Sequence, residues 1–177
     1  KINMIKKIVI ISLLLSSVLV DAQDSLVSSI ETRGMLSSGD TKPFWFYANQ
    51  NGRVDSKSNF MTLAAVKYAN SFNESNALEV GGGLLYNDGL YEDIKIDELY
   101  AKYTWKIVEA SAGIKHRDEK LKGISSVGGD IIWSNNARAL PGLYIEMTEP
   151  INIFKWLQAK GTFGHYYLGD DRVVKNA

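Results

Sequence analysis

The stretch "ELYAKYTW", residues 98–105, sorts its side chains with a period of two. Leu99, Ala101, Tyr103 and Trp105 fall on one side of an extended chain, and Glu98, Tyr100, Lys102 and Thr104 on the other. A helix would scatter this pattern around its circumference, whereas a strand gives each set its own face. The next stretch repeats it: in "VEASAGIKHR" (108–117), Val108, Ala110, Ala112 and Ile114 oppose Glu109, Ser111, Gly113, Lys115 and Arg117. "LQAKGTFGHYY" (157–167) sets Leu157, Ala159, Gly161 and Phe163 against Gln158, Lys160, Thr162 and Gly164. In "ALEVGGGLLYN" (77–87), Leu78, Val80, Leu84 and Tyr86 share a side.

Polar punctuation separates these runs: "NSFNESNA", "YNDGLYED", a short reversal at Lys106-Ile107, and Pro150 in "EPINIF". The spacing predicts strands over 26–37, 60–72, 77–87, 94–105, 108–117, 142–149 and 156–167. Two long connections remain, 38–59 and 118–141. The fold class is therefore all-β. Composition agrees, with 11% aromatic residues, 15 Gly and only 3 Pro in 177 residues.

Lys plus Arg and Asp plus Glu both number 20, so no general attraction to nucleic acid or anionic lipid is expected. Cysteine is absent, which removes disulfides, thiolate metal sites, cysteine nucleophiles and a lipoprotein anchor. The N-terminal "MIKKIVIISLLLSSVLVDAQ" has a basic start (Lys6, Lys7), an apolar run from Ile8 to Val20 and a Val20-Asp21-Ala22 end. This reads as a signal peptide over 1–22 cleaved after Ala22, with residues 1–3 upstream of the start at Met4. The apolar run is short of the ~20 residues a spanning helix needs. Cleavage removes Lys1, Lys6, Lys7 and Asp21 and leaves residues 23–177 slightly acidic.

Exported strand-only chains are mostly soluble sandwiches or outer-membrane barrels. Sandwich strands commonly run ~5–6 residues, whereas barrel strands run ~9–11 and alternate a lipid-facing apolar side with a polar lumen. The long alternating runs, the aromatic residues at their ends (Tyr103, Trp105, Phe163, Tyr166, Tyr167) and the Lys, Glu and Gln on the opposite side favour an antiparallel transmembrane β-barrel of the outer-membrane type. Leu99, Ala101 and Tyr103 are then expected to face lipid, Glu98, Tyr100 and Lys102 the lumen, with Lys102 tolerant of exchange.

Three ordered motifs carry a resemblance. "LSSGDTKPFWFYANQNGRVD", "DELYAKYTWKIVEASAGIKHRDE" and "SSVGGDIIWSNNARALPGLYI" together resemble the capsule assembly Wzi family, in particular its Bacteroidetes branch. The matching positions are Ser38-Gly39-Asp40, Pro43-Phe44-Trp45, Tyr100-Ala101, Gly113, Lys115, Arg117, Trp133-Ser134, Asn136-Ala137-Arg138 and Pro141. The resemblance implies a noncatalytic outer-membrane barrel, lectin-like, that holds or organises capsular or other surface polysaccharide at the cell exterior. Its further partners would be outer-membrane lipid and, during biogenesis, the barrel-assembly machinery. No cofactor is implied. Family members are longer, so residues 23–177 are expected to form the first ~7 strands of a larger barrel, because an unpaired strand edge is not tolerated in lipid.

Two segments supply candidate glycan contacts. In "PFWFYANQNGRVD" (43–55), the aromatic residues suit a membrane boundary. Beyond them, Asn49, Gln50 and Arg53 either pair with sugar hydroxyls or form a turn and plug held by side-chain to backbone bonds. In "IIWSNNARALP" (131–141), Trp133 offers a flat face for sugar C–H groups, Asn135 and Asn136 match hydroxyl pairs, and Arg138 has the fork to hold a uronate carboxylate. The structural alternative is a loop bracing the wall, with Arg138 on a luminal acid such as Glu98.

Other features point to no chemistry. "GIKHRDEKLKG" (113–123), with mixed signs, reads as a solvated strand end, and the acids of "YEDIKIDE" (91–98) lack calcium-loop spacing. His116 and His165 have no ligand-spaced partners, so no metal site is expected. Nothing resembles a nucleophile elbow, so no catalytic residue is assigned. Gly81-Gly82-Gly83 suits a strand bend or a close neighbour. The competing functions are an outer-membrane pore or uptake channel, an outer-membrane enzyme on lipid or glycan, and a soluble exported carbohydrate-binding sandwich.

Overall fold

The computed structural model describes residues 24–39, 41–90, 92–117 and 135–168. The signal-peptide reading, Asp40, Trp133, Ser134 and most of the second long connection lie outside the described residues.

The chain is all-β. Its strands are β1 (Asp24–Met35), β2 (Asn59–Asn73), β3 (Asn76–Asn87), β4 (Ile94–Trp105), β5 (Val108–Ile114), β6 (Pro141–Met147), β7 (Ile151–Phe154), β8 (Leu157–Ala159) and β9 (Thr162–Tyr166). A 3-10 turn, Phe44–Phe46, interrupts the first long connection. Seven strands form one antiparallel sheet in the order β1-β2-β3-β4-β5-β6-β9, and β7 and β8 pair separately. Among the described residues the sheet is open: β1 and β9 each have one neighbour, and no closed barrel is formed.

Two expected boundaries are corrected. The strand expected over 156–167 is two strands: β8 closes a small hairpin with β7, and only β9 rejoins the main sheet. Pro150, which has no N–H to give a ladder, sits where the chain leaves, and the Met147 N–H to Gly161 O bond (3.0 Å) pins the neck of the excursion. Period two persists through both hairpins, so alternation alone could not separate them. The strand expected to reach 117 ends at Ile114. Gly113 beside it takes φ +116°, and a Cβ would collide with the Leu99 carbonyl, so the close pairing with β4 here needs glycine.

The register stacks the sheet into alternating rows. Leu78, Tyr103, Ala110, Ile145 and Phe163 align across β3, β4, β5, β6 and β9, and so do Val80, Ala101, Ala112, Leu143 and His165. Between them lie rows of opposite orientation: Glu79, Lys102, Ser111 and Tyr144, then Gly81, Tyr100, Gly113, Gly142 and Tyr166. The first face is exposed: Ile30 is 78%, Leu99 56% and Phe163 77% accessible. From Leu26 to Phe163, no outer position of the described main-sheet strands carries Lys, Arg, Asp or Glu. The charged residues of the other face are half-buried or better along β3 and β4. This inverts a water-soluble sheet, which covers its apolar side.

The small apolar core lies on the inner face, where Val54 of the first connection packs on Met61, Leu63 and Leu85, with Met35, Tyr47 and Leu90 around them. Beside it Asn87 is fully buried, donating to Arg53 O at 2.7 Å and accepting from Gly89 N–H at 2.8 Å. The first connection thus folds back over the sheet as a roof. At the opposite end, β2–β3 and β4–β5 are joined by two-residue turns, Glu74-Ser75 and Lys106-Ile107.

Candidate functional site

Below the apolar core, the inner face carries an ion-pair ladder. Lys102 Nζ lies 3.4 Å from Glu79 Oε2 and 3.5 Å from Glu109 Oε2, and Lys67 Nζ lies 3.9 Å from Glu79. The Tyr100 hydroxyl donates to Glu79 Oε1 at 2.7 Å. Tyr100 reaches that acid by lying across Gly81, where any Cβ would stand 2.5 Å from its ring. One glycine of the Gly81–Gly83 run is thus explained by close approach. Another, Gly83, marks a register break opposite Asp97 and Glu98, so the extra residue leaves both acids on the inner side.

The roof is anchored at this break. Arg53 Nε donates to Asp97 Oδ1 at 2.9 Å, and its Nη2 to Oδ2 at 2.6 Å. Burial opposes the charge on Arg53, but the hydrogen bonds and charge of Asp97 outweigh it and raise the guanidinium pKa. His116 Nε2 stands 3.3 Å from Asp97 Oδ1, and its N–H donates to Glu98 Oε1 at 2.8 Å.

The two sequence-predicted segments meet in the roof. Asn51 N–H donates to Asn135 O and Asn49 N–H to Asn136 Oδ1, both at 2.6 Å. Asn49 and Asn51 have φ of 56° and 55°, left-handed values that asparagine tolerates. Arg138 Nη2 donates to Ile96 O at 2.6 Å and its stem packs beneath Gly52, so it reaches β4 through the backbone, while Glu98 takes the His116 N–H. Gln50 accepts from Arg33 at 2.8 Å. Gln50, Arg53, Asn136 and Arg138 are therefore engaged in structural bonds. Asn49 and Asn135 also line a cavity, and Trp133 lies outside the described residues.

That cavity, about 470 Å³, is lined by Asn49, Asn51 and Asn135 of the roof, Lys67, Glu79, Tyr100 and Lys102 of the wall, and Lys115, His116 and Arg117 beyond β5, with Glu98 beside them. The 115–117 run is not the solvated strand end expected from its mixed charge. It follows β5 onto the inner face, where Lys115, His116 and Arg117 line the cavity. Lys115 Nζ sits 5.1 Å from the Tyr100 ring centre, and the Arg117 guanidinium stacks on Tyr144 and Tyr166 at 5.2 and 5.4 Å while also bonding the Tyr166 hydroxyl. Asp97 likewise departs from the solvated acids expected of "YEDIKIDE", being 3% exposed, while Glu92 and Asp93 are exposed.

Amides, hydroxyls, ring faces and fixed charges converge here, a set suited to a hydroxylated ligand. Among the described residues no cluster of three or more His, Asp or Glu is arranged for a metal ion. No protein-family model, curated protein or solved structure matches the chain.

Proposed function

We propose that this chain forms part of the wall of a noncatalytic outer-membrane β-barrel that binds or organises capsular or other surface polysaccharide at the cell exterior, in the manner of the Wzi family. The observation that carries the reading is the inverted sheet: an exposed apolar face whose one Asp, Asp24, sits at the strand end, backed by an ion-paired face that is largely covered along β3 and β4. Lipid is the solvent in which that distribution is stable. The outer residues of β4, from Ile94 to Trp105, extend roughly 36 Å at ~3.3 Å per residue. At a ~45° tilt this is about 26 Å, matching the ~25 Å apolar band of such barrels. Phe60 and Tyr86, with ring centres 6.5 Å apart, stand near one margin, and Tyr103 and Trp105 near the other, as an aromatic girdle requires.

Polarity along the strands supports an orientation. The β1–β2 and β5–β6 connections leave the roofed end, while the two short turns and the 148–161 excursion leave the other. Short turns belong mostly to the periplasmic side, so the roofed cavity is read as facing outward, where surface glycan would be held. The three motifs that resemble those of the Wzi family point the same way. A pore or uptake channel is the second reading, since Lys67, Glu79 and Lys102 would also line a conducting lumen. The roof tethered across them by Arg53 and Asp97 favours binding.

The test combines location with phenotype. The chain should sediment with the outer membrane, and cells lacking it should shed surface polysaccharide into the medium. Fractionation as a soluble periplasmic protein would refute the barrel. Full polysaccharide retention together with an open, ion-selective conductance in planar bilayers would favour the pore.

A further inference from the structure

Resting on that reading, we infer that the roofed cavity is an anion subsite, in which Lys115 receives the carboxylate or phosphate of a charged sugar unit. The charges around it are unequally occupied. Glu79 is shared by Lys67, Lys102 and the Tyr100 hydroxyl, Lys102 is also held by Glu109, and Glu98 accepts from His116. Lys115 is different. Its ammonium touches the His116 carbonyl at 3.4 Å and the Tyr100 ring; it feels the charge of Glu79, but among the described residues no carboxylate stands within ion-pair distance. A half-buried cation lining a polar cavity gains a charge-assisted partner when an anion enters.

The surroundings fit a sugar bearing that anion. Asn49, Asn51 and Asn135 line the roof side of the cavity. Amide side chains both donate and accept, as paired hydroxyls require. Tyr100 lies beneath Lys115, and Arg117, fixed on the faces of Tyr144 and Tyr166, adds a second positive charge at the rim. The cavity is within the ~300–1,000 Å³ range of small-molecule sites, room for a short saccharide segment. Charge recognition is thus assigned to the wall, and Arg138, bound to the Ile96 carbonyl, to the roof's support.

The test uses the full chain inserted in lipid and three probes: oligogalacturonate, a neutral maltooligosaccharide of equal length, and inorganic phosphate. The wild type should bind oligogalacturonate about tenfold more tightly than the neutral oligomer, the scale of one hydrogen bond to a charged group. High salt should shrink that preference. Lys115→Gln should abolish that preference, and Lys115→Arg should restore it. If inorganic phosphate binds and oligogalacturonate does not, the subsite takes a phosphate-bearing unit, and Lys115→Gln must remove that binding. Equal binding of acidic and neutral oligomers, or an unchanged preference in Lys115→Gln, overturns the anion subsite and leaves the glycan-binding function standing. Binding of no probe by heat-resistant, inserted protein overturns both.

Discussion

Arg53 and Asp97 are 44 residues apart in sequence and meet through two parallel hydrogen bonds, at 2.9 and 2.6 Å. Asp97 is almost wholly buried, and Arg53 is the group that compensates its charge from the roof. Removing one partner of such a pair leaves a buried charge unmatched, typically at a cost of ~3–5 kcal/mol. Arg53→Ala should therefore lower the unfolding midpoint and open residues 43–58 to protease while β2 to β4 stay protected. Arg53→Lys, which keeps the charge but loses the fork, should fall between. Equal protease resistance of 43–58 in both variants and the wild type would show that the roof is held by other contacts.

The row Val80, Ala101, Ala112, Leu143 gives a test of the outer face. Ala101→Arg places a charge in the middle of that face and should destabilise the inserted chain by ~2–4 kcal/mol. A cysteine at 101 should resist a water-soluble thiol reagent in the folded, inserted chain. Ready labelling there would contradict the lipid-facing assignment.

Its neighbour Lys102 shows where geometry alters a sequence expectation. A luminal lysine is expected to tolerate exchange, but this one bridges Glu79 and Glu109. Lys102→Gln leaves two half-buried carboxylates facing each other's field, so a loss of ~1–3 kcal/mol is expected from denaturant titration. Glu109→Gln in the same background should recover part of it, and a null effect of Lys102→Gln would mean the ladder is solvated.

Leu85 is fully buried among Val54, Met61 and Leu63. Leu85→Ala should cost ~2–5 kcal/mol through lost burial and a residual cavity. The exposed Leu84, next to it and on the outer face, provides the control. In lipid, Leu84→Ala should cost much less than Leu85→Ala, and similar losses at both would argue against the face assignment.

Gly81→Ala sets a methyl group against the Tyr100 ring. The ring must shift, breaking its bond to Glu79, and overpacking of this kind costs ~1–3 kcal/mol. Combining it with Tyr100→Ala should relieve the clash, so that the double variant is less destabilised than the single effects add up to.

What the sequence made legible was what repeats locally. Period two in "ELYAKYTW" assigns each side chain of β4 to its face, because the register keeps that assignment across five neighbouring strands. The expected outward set of Leu99, Ala101 and Tyr103 is the exposed set. The split of 156–167 was illegible because both hairpins alternate alike. The site was legible only in pieces. The 49–53 and 135–138 segments stand out by their amides, but their contact depends on φ values at Asn49 and Asn51 and on chain reversal between them. Lys115 and Arg117 look solvated as a charge run; alternation puts them on the Glu109 side, but their contacts with the tyrosine rings have no local signal. The Arg53–Asp97 pair has no local signal at all.

The strand order has a kinetic consequence. From β1 to β6 every strand pairs with its successor in the chain, so the wall can zip one hairpin at a time as each strand becomes available. The roof cannot. Asn49 waits for Asn136, 87 residues later, and Asn51 for Asn135. Arg53 must wait until β4 has delivered Asp97. Val54 can pack on β2 and β3 early, but the bonds that close the roof over the cavity span long stretches of chain and are expected to form after the wall beneath them.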